Sequence, residues 1–135
     1  MTSIKQFEEL KAWQKARELV QLIYAASRVG AFARDFALCA QIRRAVVAIL
    51  ASIAEGFERS GDREFAQCLA IAKGSCGEVR AQLYAAADQG YLTAAQFAAL
   101  LDAVGEVSRL LAGHIRYLQN AALRENRFRT AGAGV

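Results

Sequence analysis

The stretch from Ala45 to Ala54 limits most strongly how this chain can fold, because its ten residues, AVVAILASIA, carry no charge. Apolar residues recur with helical spacing through and around it, which predicts a helix from about Asp35 to Glu58. A helix that is apolar on every side has to be covered on every side. Three neighbouring helices of one chain leave part of its circumference open, so the sequence predicts that a second copy covers the remainder.

The side of this helix that we expect to face the chain's own core includes Leu38, Ile42 and Ile49. Apolar residues outside that stripe indicate an interface, although a locally thick core or a tolerated exposed apolar strip would also account for them. Three residues are therefore the expected contacts between copies: Val46, Val47 and Leu50.

Glycines inside the predicted helices give a second indication of association. Each costs about 1 kcal/mol relative to alanine in a helix, and close approach of another backbone would explain its presence. The glycines concerned are Gly74, Gly77, Gly105 and Gly113.

The rest of the composition favours an all-α chain. Its 135 residues fit one domain and contain no proline. Helical periodicity predicts four helices, at about residues 7–28, 35–58, 63–88 and 94–123. Connections of roughly three to seven residues favour neighbours of opposite direction. The fold class predicted is an antiparallel up-down-up-down four-helix bundle in a single domain, residues 1–123.

Several helix ends are marked by their residues. Thr93 and Gln96 form a capping box, which predicts that the fourth helix begins at Ala94. Asp35 is a suitable N-cap for the second helix, and Gly90 suits the position just after the third.

The basic residues suggest one function. The formal net charge is +4. The excess falls in residues 109–135, which hold five arginines and one glutamate. Residues 124–135 are expected to form a basic, disordered tail, in which Phe128 could stack on a base. Arginines suit phosphate binding, although an ordinary solvated basic tail would have the same composition. The candidate nucleic-acid contacts are Arg43, Arg44, Arg59, Arg63, Lys73, Arg80, Arg124, Arg127 and Arg129.

No catalytic or metal site is predicted. His114 is the single histidine, and its helical neighbours are leucines, so a structural role is favoured over a nucleophilic triad or a di-iron motif. The three cysteines have no zinc-ligand spacing and are read as core residues of a protein in a reducing compartment. No cofactor is expected. The apolar stretches are short of the roughly 20 residues of a membrane span, and no secretory signal is visible, so we expect a cytoplasmic protein.

Motifs in a fixed order resemble a known family. FEELKAWQKARELVQLIY, QIRRAVVAILASIAEGFERS, REFAQCLAIAKGSCGEVRAQLYAA and GYL are similar to proteins encoded in intervening sequences of bacterial large-subunit ribosomal RNA genes. The resemblance implies a four-helix bundle and a ring-shaped homopentamer. It also implies a relationship to an accessory protein of diversity-generating retroelements, a basic pentamer that binds nucleic acid and partners a reverse transcriptase. Family members usually carry proline at the position of Leu50, so the helix is expected to be straighter here.

Two hypotheses follow. The first is a non-enzymatic homo-oligomer that binds RNA, or DNA, through phosphate contacts. The second is a protein-interaction scaffold, for example an accessory subunit of a reverse transcriptase, without direct nucleic-acid binding and with no membrane association. The second requires that the central arginines are already paired with carboxylates. The arginines and carboxylates concerned are Arg43, Arg44, Arg59, Glu55, Glu58 and Glu64.

Overall fold

The computed structural model describes residues 3–133, the last six of them, 128–133, by backbone alone. Regular structure within that range is entirely helical, which confirms the prediction of an all-α chain. A 3-10 turn precedes five α-helices in the described residues. Their bounds are Phe7–Glu9 for the turn, then Lys11–Ser27 (α1), Gly30–Arg34 (α2), Phe36–Glu58 (α3), Asp62–Asp88 (α4) and Ala94–Ala133 (α5).

Side chains cap the beginnings of α3 and α5 as the sequence predicts. Asp35 Oδ1 accepts the backbone N–H of Leu38 at 3.1 Å, and its Oδ2 accepts the Tyr91 hydroxyl at 2.9 Å. The start of α3 is thereby tied to the α4–α5 connection. At α5, Thr93 Oγ1 accepts the Gln96 N–H while Gln96 Oε1 accepts the Thr93 N–H, so the capping box is confirmed.

The helices pack into a bundle with one apolar core. α3 contacts α4 and α1, while α5 contacts α4 and α1. The buried side chains recur every three or four residues along each helix, which is the spacing that puts them on one face. The largest fully buried side chains are Phe32, Leu19, Ile23, Ile42, Ile49, Ile53, Leu69, Leu83 and Leu111.

The short helix α2, Gly30–Arg34, was not among the four predicted helices, and two helix boundaries differ from the predictions. The first helix begins at Lys11, because Phe7–Glu9 forms a separate turn in which the Phe7 ring packs on Trp13 at 5.2 Å. The last helix continues to Ala133 where an end near Leu123 was predicted. No glycine or proline interrupts residues 114–131, and alanine, leucine and arginine propagate helices well.

Val46 is a correction to the predicted contacts between copies. It is fully buried within its own chain and cannot contact a partner in this conformation. The reason is its spacing: Val46 lies four residues after Ile42 and three before Ile49, so all three share the core face of α3. Leu50 is half-buried against the core, and Val47 is 39% exposed. Val47 therefore remains the clearest outward apolar side chain of the predicted set.

α3 is nevertheless unusually apolar for the share of it that is buried. The helix continues without a break through Leu50. Its most apolar 18 residues have a mean hydropathy of 1.7, and 33% of this segment is buried. By length and composition alone, such a helix could also span a membrane. In the bundle, the core face of this helix packs against α1 and α4.

The predicted role of the helix glycines in contacts between copies stays a prediction. Within the chain, a Cβ built on Gly74, Gly77 or Gly113 would meet no atom within 4 Å, so close packing inside the bundle does not explain these residues. Gly56 does make a close approach: a Cβ there would lie 2.6 Å from Cys68 Cβ and 3.0 Å from Phe65 Cδ1. The glycine that lets α3 and α4 approach is therefore one that the sequence pattern did not single out.

Candidate nucleic-acid interface

Two grooves lie along α4, one beside each neighbouring long helix, and their charges differ. The groove between α4 and α5 is rimmed by Lys73 and Arg80, while the groove between α3 and α4 is rimmed by Glu78 as well as Arg44. The seven-residue spacing from Lys73 to Arg80 is two helical turns, which keeps both cations on the α5 side of the helix. Helical spacing thus separates positive from negative charge across α4.

The central part of the α4–α5 groove has a floor of small residues. Its volume is about 180 Å³, and Gly77, Gly105 and Ser108 line it together with the two basic side chains. Neither Lys73 nor Arg80 has a carboxylate within ion-pair distance among the described residues, and both are exposed. Their charges are consequently available to a ligand.

Arg109 of α5 joins the same groove from the other side. A Cβ built on Gly105 would lie 3.2 Å from Arg109 Nη1, so the guanidinium lies over the glycine that lines the groove. Arg116 follows seven residues later, is exposed, and occupies the same face of α5. Arg109 and Arg116 were not among the contacts predicted from the sequence. Their spacing, which repeats that of Lys73 and Arg80, was the signal that could have identified them.

Arg63 extends the positive surface towards the start of α4. It lines a larger groove of about 600 Å³ between α4 and the second half of α5, with Gln67, Gln119 and Asn126 among its polar neighbours. Asp62 lines the same groove and is its one acidic residue. We call the combined surface the basic seam, and its members are Arg63, Lys73 and Arg80 of α4 and Arg109 and Arg116 of α5.

The arginines of α3 lie outside the basic seam and differ in their contacts. Arg59 pairs with Glu55 at 2.7 Å, and this hydrogen bond raises the pKa of the guanidinium. Arg43 donates from Nε to Ser27 Oγ at 2.9 Å, and its guanidinium lies 4.7 Å from the centre of the Tyr24 ring. Arg43 therefore joins α3 to α1.

Arg44 has no ion-pair partner among the described residues and lines the α3–α4 groove. That groove holds about 350 Å³ and contains Gln82, whose Oε1 is buried and has no hydrogen-bond partner in the described part of the chain. Arg43, Arg44 and Arg59 were predicted from the sequence as phosphate contacts together with the others. Arg43 and Arg44 lie on other surfaces, against α1 and in the α3–α4 groove. Arg59 lies four residues before Arg63, in the connection that leads to α4.

The basic residues near the end of α5 are placed in part. Arg124 and Arg127 are exposed, and Arg127 lies eleven residues after Arg116, which is about three helical turns and hence a similar face. The side chains of Phe128 and Arg129 lie outside the described residues. The predicted tail, residues 124–135, is helical in backbone as far as Ala133.

The titratable groups beside the seam are packed against apolar neighbours. The His114 ring meets Phe65 edge to face at 4.9 Å, and burial lowers its pKa, with a smaller opposing effect from Asp62. Cys76 lies beneath the seam, 2% exposed, and burial raises the pKa of its thiol to about 11. Across the described residues, no three His, Cys, Asp or Glu side chains are grouped as a metal site would require.

Comparison with known proteins identifies the family. A family model described as 23S rRNA-intervening sequence protein matches residues 8–113. The chain belongs to this family. Membership confirms the resemblance carried by the sequence motifs, and it covers α1 to the first half of α5. No curated protein matches the chain in sequence.

A solved structure supports the fold of this family member. The crystal structure of a protein of unknown function from the S23 ribosomal protein family of Bacteroides thetaiotaomicron is similar, with a TM-score of 0.71. The similarity covers 78% of this chain and 95% of that one at 23% sequence identity. At that identity, the likeness establishes a shared helical fold.

Proposed function

We propose that this family member is a non-enzymatic homo-oligomer that binds nucleic acid, RNA in the first place, through phosphate contacts from the basic seam. The observation that carries the proposal is the seam itself. Two adjacent helices present exposed cations on one surface, and no acidic residue occurs between Arg109 and Arg124 of α5. Phosphate contacts of this kind bind strongly but read little sequence.

The same proposal includes the arrangement of the chain. We infer an antiparallel up-down-up-down bundle of α1, α3, α4 and α5, with α2 as a short connection. Two contacts between α3 and α4 support opposite directions. Gly56, near the end of α3, approaches Phe65 and Cys68 near the start of α4. Earlier residues of α3, such as Arg44, line a groove with later residues of α4, such as Gln82. The α4–α5 grooves repeat this pattern, since Arg63 lies with Gln119.

Association of copies is proposed through the outward side of α3. The support is the contrast between the apolar composition of α3 and its limited burial, together with the exposure of Val47, Ala40 and Ala51. The family resemblance makes five the expected number of copies. Association would multiply the basic seam, and several linked weak sites bind a long polyanion more tightly than one.

Binding to a structured RNA hairpin at about 50 mM and about 200 mM salt tests the nucleic-acid proposal, because phosphate contacts weaken steeply over this range. We expect measurable affinity at the lower concentration and a large loss at the higher. The variant Lys73→Gln/Arg80→Gln/Arg109→Gln removes three seam cations. It should raise Kd about tenfold or more and reduce the slope of log K against log salt by about two to three.

A matched control removes the same charge elsewhere. Lys11→Gln/Arg28→Gln/Arg34→Gln changes three exposed cations at the start of α1, the end of α1 and the end of α2. We expect this control to retain most of the affinity. Equal losses in the two triple variants would show that only net charge matters, and absence of binding to the wild-type protein at low salt would overturn the proposal.

The association proposal has its own test, the native mass of the assembly. The wild-type protein should be an oligomer at micromolar concentration. Val47→Glu should reduce the mass, because a charge in an apolar interface is costly. Ala25→Glu, on an exposed position of α1, is the control and should leave the mass unchanged. A monomeric wild-type protein would contradict the proposal.

A second candidate function is a scaffold that holds a protein partner, such as a reverse transcriptase, without binding nucleic acid. The engagement of Arg43 by Ser27 and Tyr24, and of Arg59 by Glu55, favours it, because these arginines are occupied within the chain. The lack of ion-pair partners for the seam cations among the described residues favours the first candidate. The hairpin assay separates the two, since the scaffold would bind no RNA.

A further inference from the structure

We infer that the basic seam takes a nucleic-acid duplex in preference to a single strand, an inference that rests on the proposed function. The two kinds of ligand present different surfaces. A single strand offers bases, and proteins that bind it combine a basic groove with aromatic side chains on which bases stack. A duplex keeps its bases stacked inside, and offers phosphates along two strands with a groove between them.

The seam provides cations in two parallel rows. With a rise of about 1.5 Å per residue, Arg80 lies about 10 Å from Lys73 along the axis of α4. Arg63 lies about 15 Å from Lys73 in the opposite direction. On α5, Arg109 and Arg116 are about 10 Å apart by the same geometry. Packed helices have axes about 8 to 10 Å apart, so the two rows run side by side at that separation. Two rows suit two phosphate strands better than one.

The seam lacks the aromatic surface that a single strand needs. Between the two rows lie Gly77, Gly105 and Ser108, and further along Ala66 and Ala70. None of the residues that line the two grooves is aromatic, so the grooves offer no ring on which a base could stack.

The exposed aromatic residues of the described chain lie elsewhere or are engaged. Tyr84 is at one end of the α4 row, and its ring already meets Phe97 edge to face at 5.0 Å. Tyr117 is exposed, but it follows Arg116 directly and so points about 100° away around α5. Neither ring lies between the rows of cations.

The backbone beneath the cations is regular. Both rows stand on long helices, α4 and α5, which contact each other extensively. The helices therefore set the spacing of the cations along the surface. A duplex has a regular spacing of phosphates that a fixed array of cations can match, whereas a flexible single strand loses more conformational freedom on such a surface.

Three ligands of one sequence test the inference with the wild-type protein. They are a duplex RNA of about 20 base pairs, one strand of that duplex alone, and the corresponding duplex DNA. The sequence is chosen so that the single strand does not fold on itself. We expect the RNA duplex to bind about tenfold or more tightly than the strand at equal salt. Equal or tighter binding of the strand would overturn the inference and leave the proposed function intact. Binding of none of the three would overturn the proposed function.

The duplex DNA distinguishes two sources of the same phosphate chemistry. Affinity equal to that of duplex RNA indicates phosphates alone, and weaker affinity indicates that the A-form shape or the 2′-hydroxyls contribute. Either ranking supports the inference, provided that each duplex exceeds the single strand.

A variant of the nearest exposed ring gives a second, independent test. Tyr84→Leu removes an aromatic side chain and keeps an apolar one of similar size. If the seam binds duplexes through phosphates, affinity for the RNA duplex stays within about twofold of wild type, because no base stacks on this residue. A larger loss for the RNA duplex would show that stacking on this ring contributes to duplex binding and would contradict the inference.

Discussion

Glycine has opposite effects on the two sides of α4, the side that faces α3 and the side that faces α5. On the α3 edge, Gly56 of the facing helix lets the backbones approach, with Cys68 and Phe65 against it. On the α5 edge, Gly77 has no neighbour where a Cβ would be and lines an open groove between rows of cations. Glycine thus allows α3 and α4 to pack closely, whereas it leaves an open groove between α4 and α5. The contrast teaches that a helix glycine can be understood only from what opposes it.

The largest effect that sharpens this comparison is on stability. Gly56→Ala should destabilise the protein by about 3 kcal/mol, because the new methyl group would overlap Cys68 Cβ, which is held by the backbone of α4. Gly74→Ala, in open space, should instead stabilise it by up to about 1 kcal/mol through helix propensity. Urea unfolding measures both. Similar effects of the two substitutions on stability would mean that the contact between α3 and α4 is not closely packed.

A second effect concerns the pH dependence of stability and Cys76, the cysteine on the α5 side of α4. Burial raises the pKa of the Cys76 thiol to about 11 from 9.0. The folded pKa is above the unfolded one, so this group stabilises the fold fully below pH 9 and loses its contribution as pH rises towards 11. The loss is on the order of 2 kcal/mol, from about 1.4 kcal/mol per pKa unit.

The measurement for this second effect is unfolding free energy between pH 8 and about 11. Cys76→Ala should remove the alkaline loss relative to wild type, while Cys68→Ala serves as the control from the other edge. Parallel pH profiles for wild type and Cys76→Ala would contradict the placement of this thiol in the core beneath the basic seam.

A smaller effect concerns the position of one seam cation. Gly105→Ala would bring a methyl group to 3.2 Å from Arg109 Nη1, and the guanidinium would have to move. We expect duplex RNA affinity to change by about twofold to fivefold, since one phosphate contact is altered without loss of charge. Gly113→Ala, on the same helix in open space, should leave affinity unchanged. Equal effects on binding would remove Arg109 from the interface.

The smallest expected effect is that of Arg59→Gln. The guanidinium of this arginine is engaged in an exposed ion pair with Glu55, and exposed pairs contribute little. Neither the unfolding midpoint nor the RNA affinity should change measurably. A clear loss of RNA affinity would mean that the interface extends to the end of α3 and is not confined to the α5 side of α4.

The sequence alone was sufficient for the four long helices and for the caps, because Asp35, Thr93 and Gln96 act through local spacing. It failed for Val46, since a residue four positions from Ile42 belongs to the core face and the predicted stripe was drawn too narrow. The extension of α5 beyond Leu123 was missed because its many basic residues were interpreted as a tail, although residues 114–131 contain no glycine or proline. The basic seam depends on which helices are neighbours, and that is a property of packing.

The central claim is that nucleic acid lies on the basic seam, and lysine footprinting tests it directly. The chain has four lysines: Lys5, Lys11, Lys15 and Lys73. Lys15 is paired with Glu18, and this hydrogen bond raises its pKa, so Lys5 and Lys11 are the reference amines.

Acetylation of the full-length protein with and without saturating duplex RNA, followed by mass spectrometry of the peptides, gives the protection of each lysine. The account predicts that RNA slows acetylation of Lys73 several-fold and leaves Lys5 and Lys11 unchanged. Protection of Lys5 or Lys11 in place of Lys73 would contradict it.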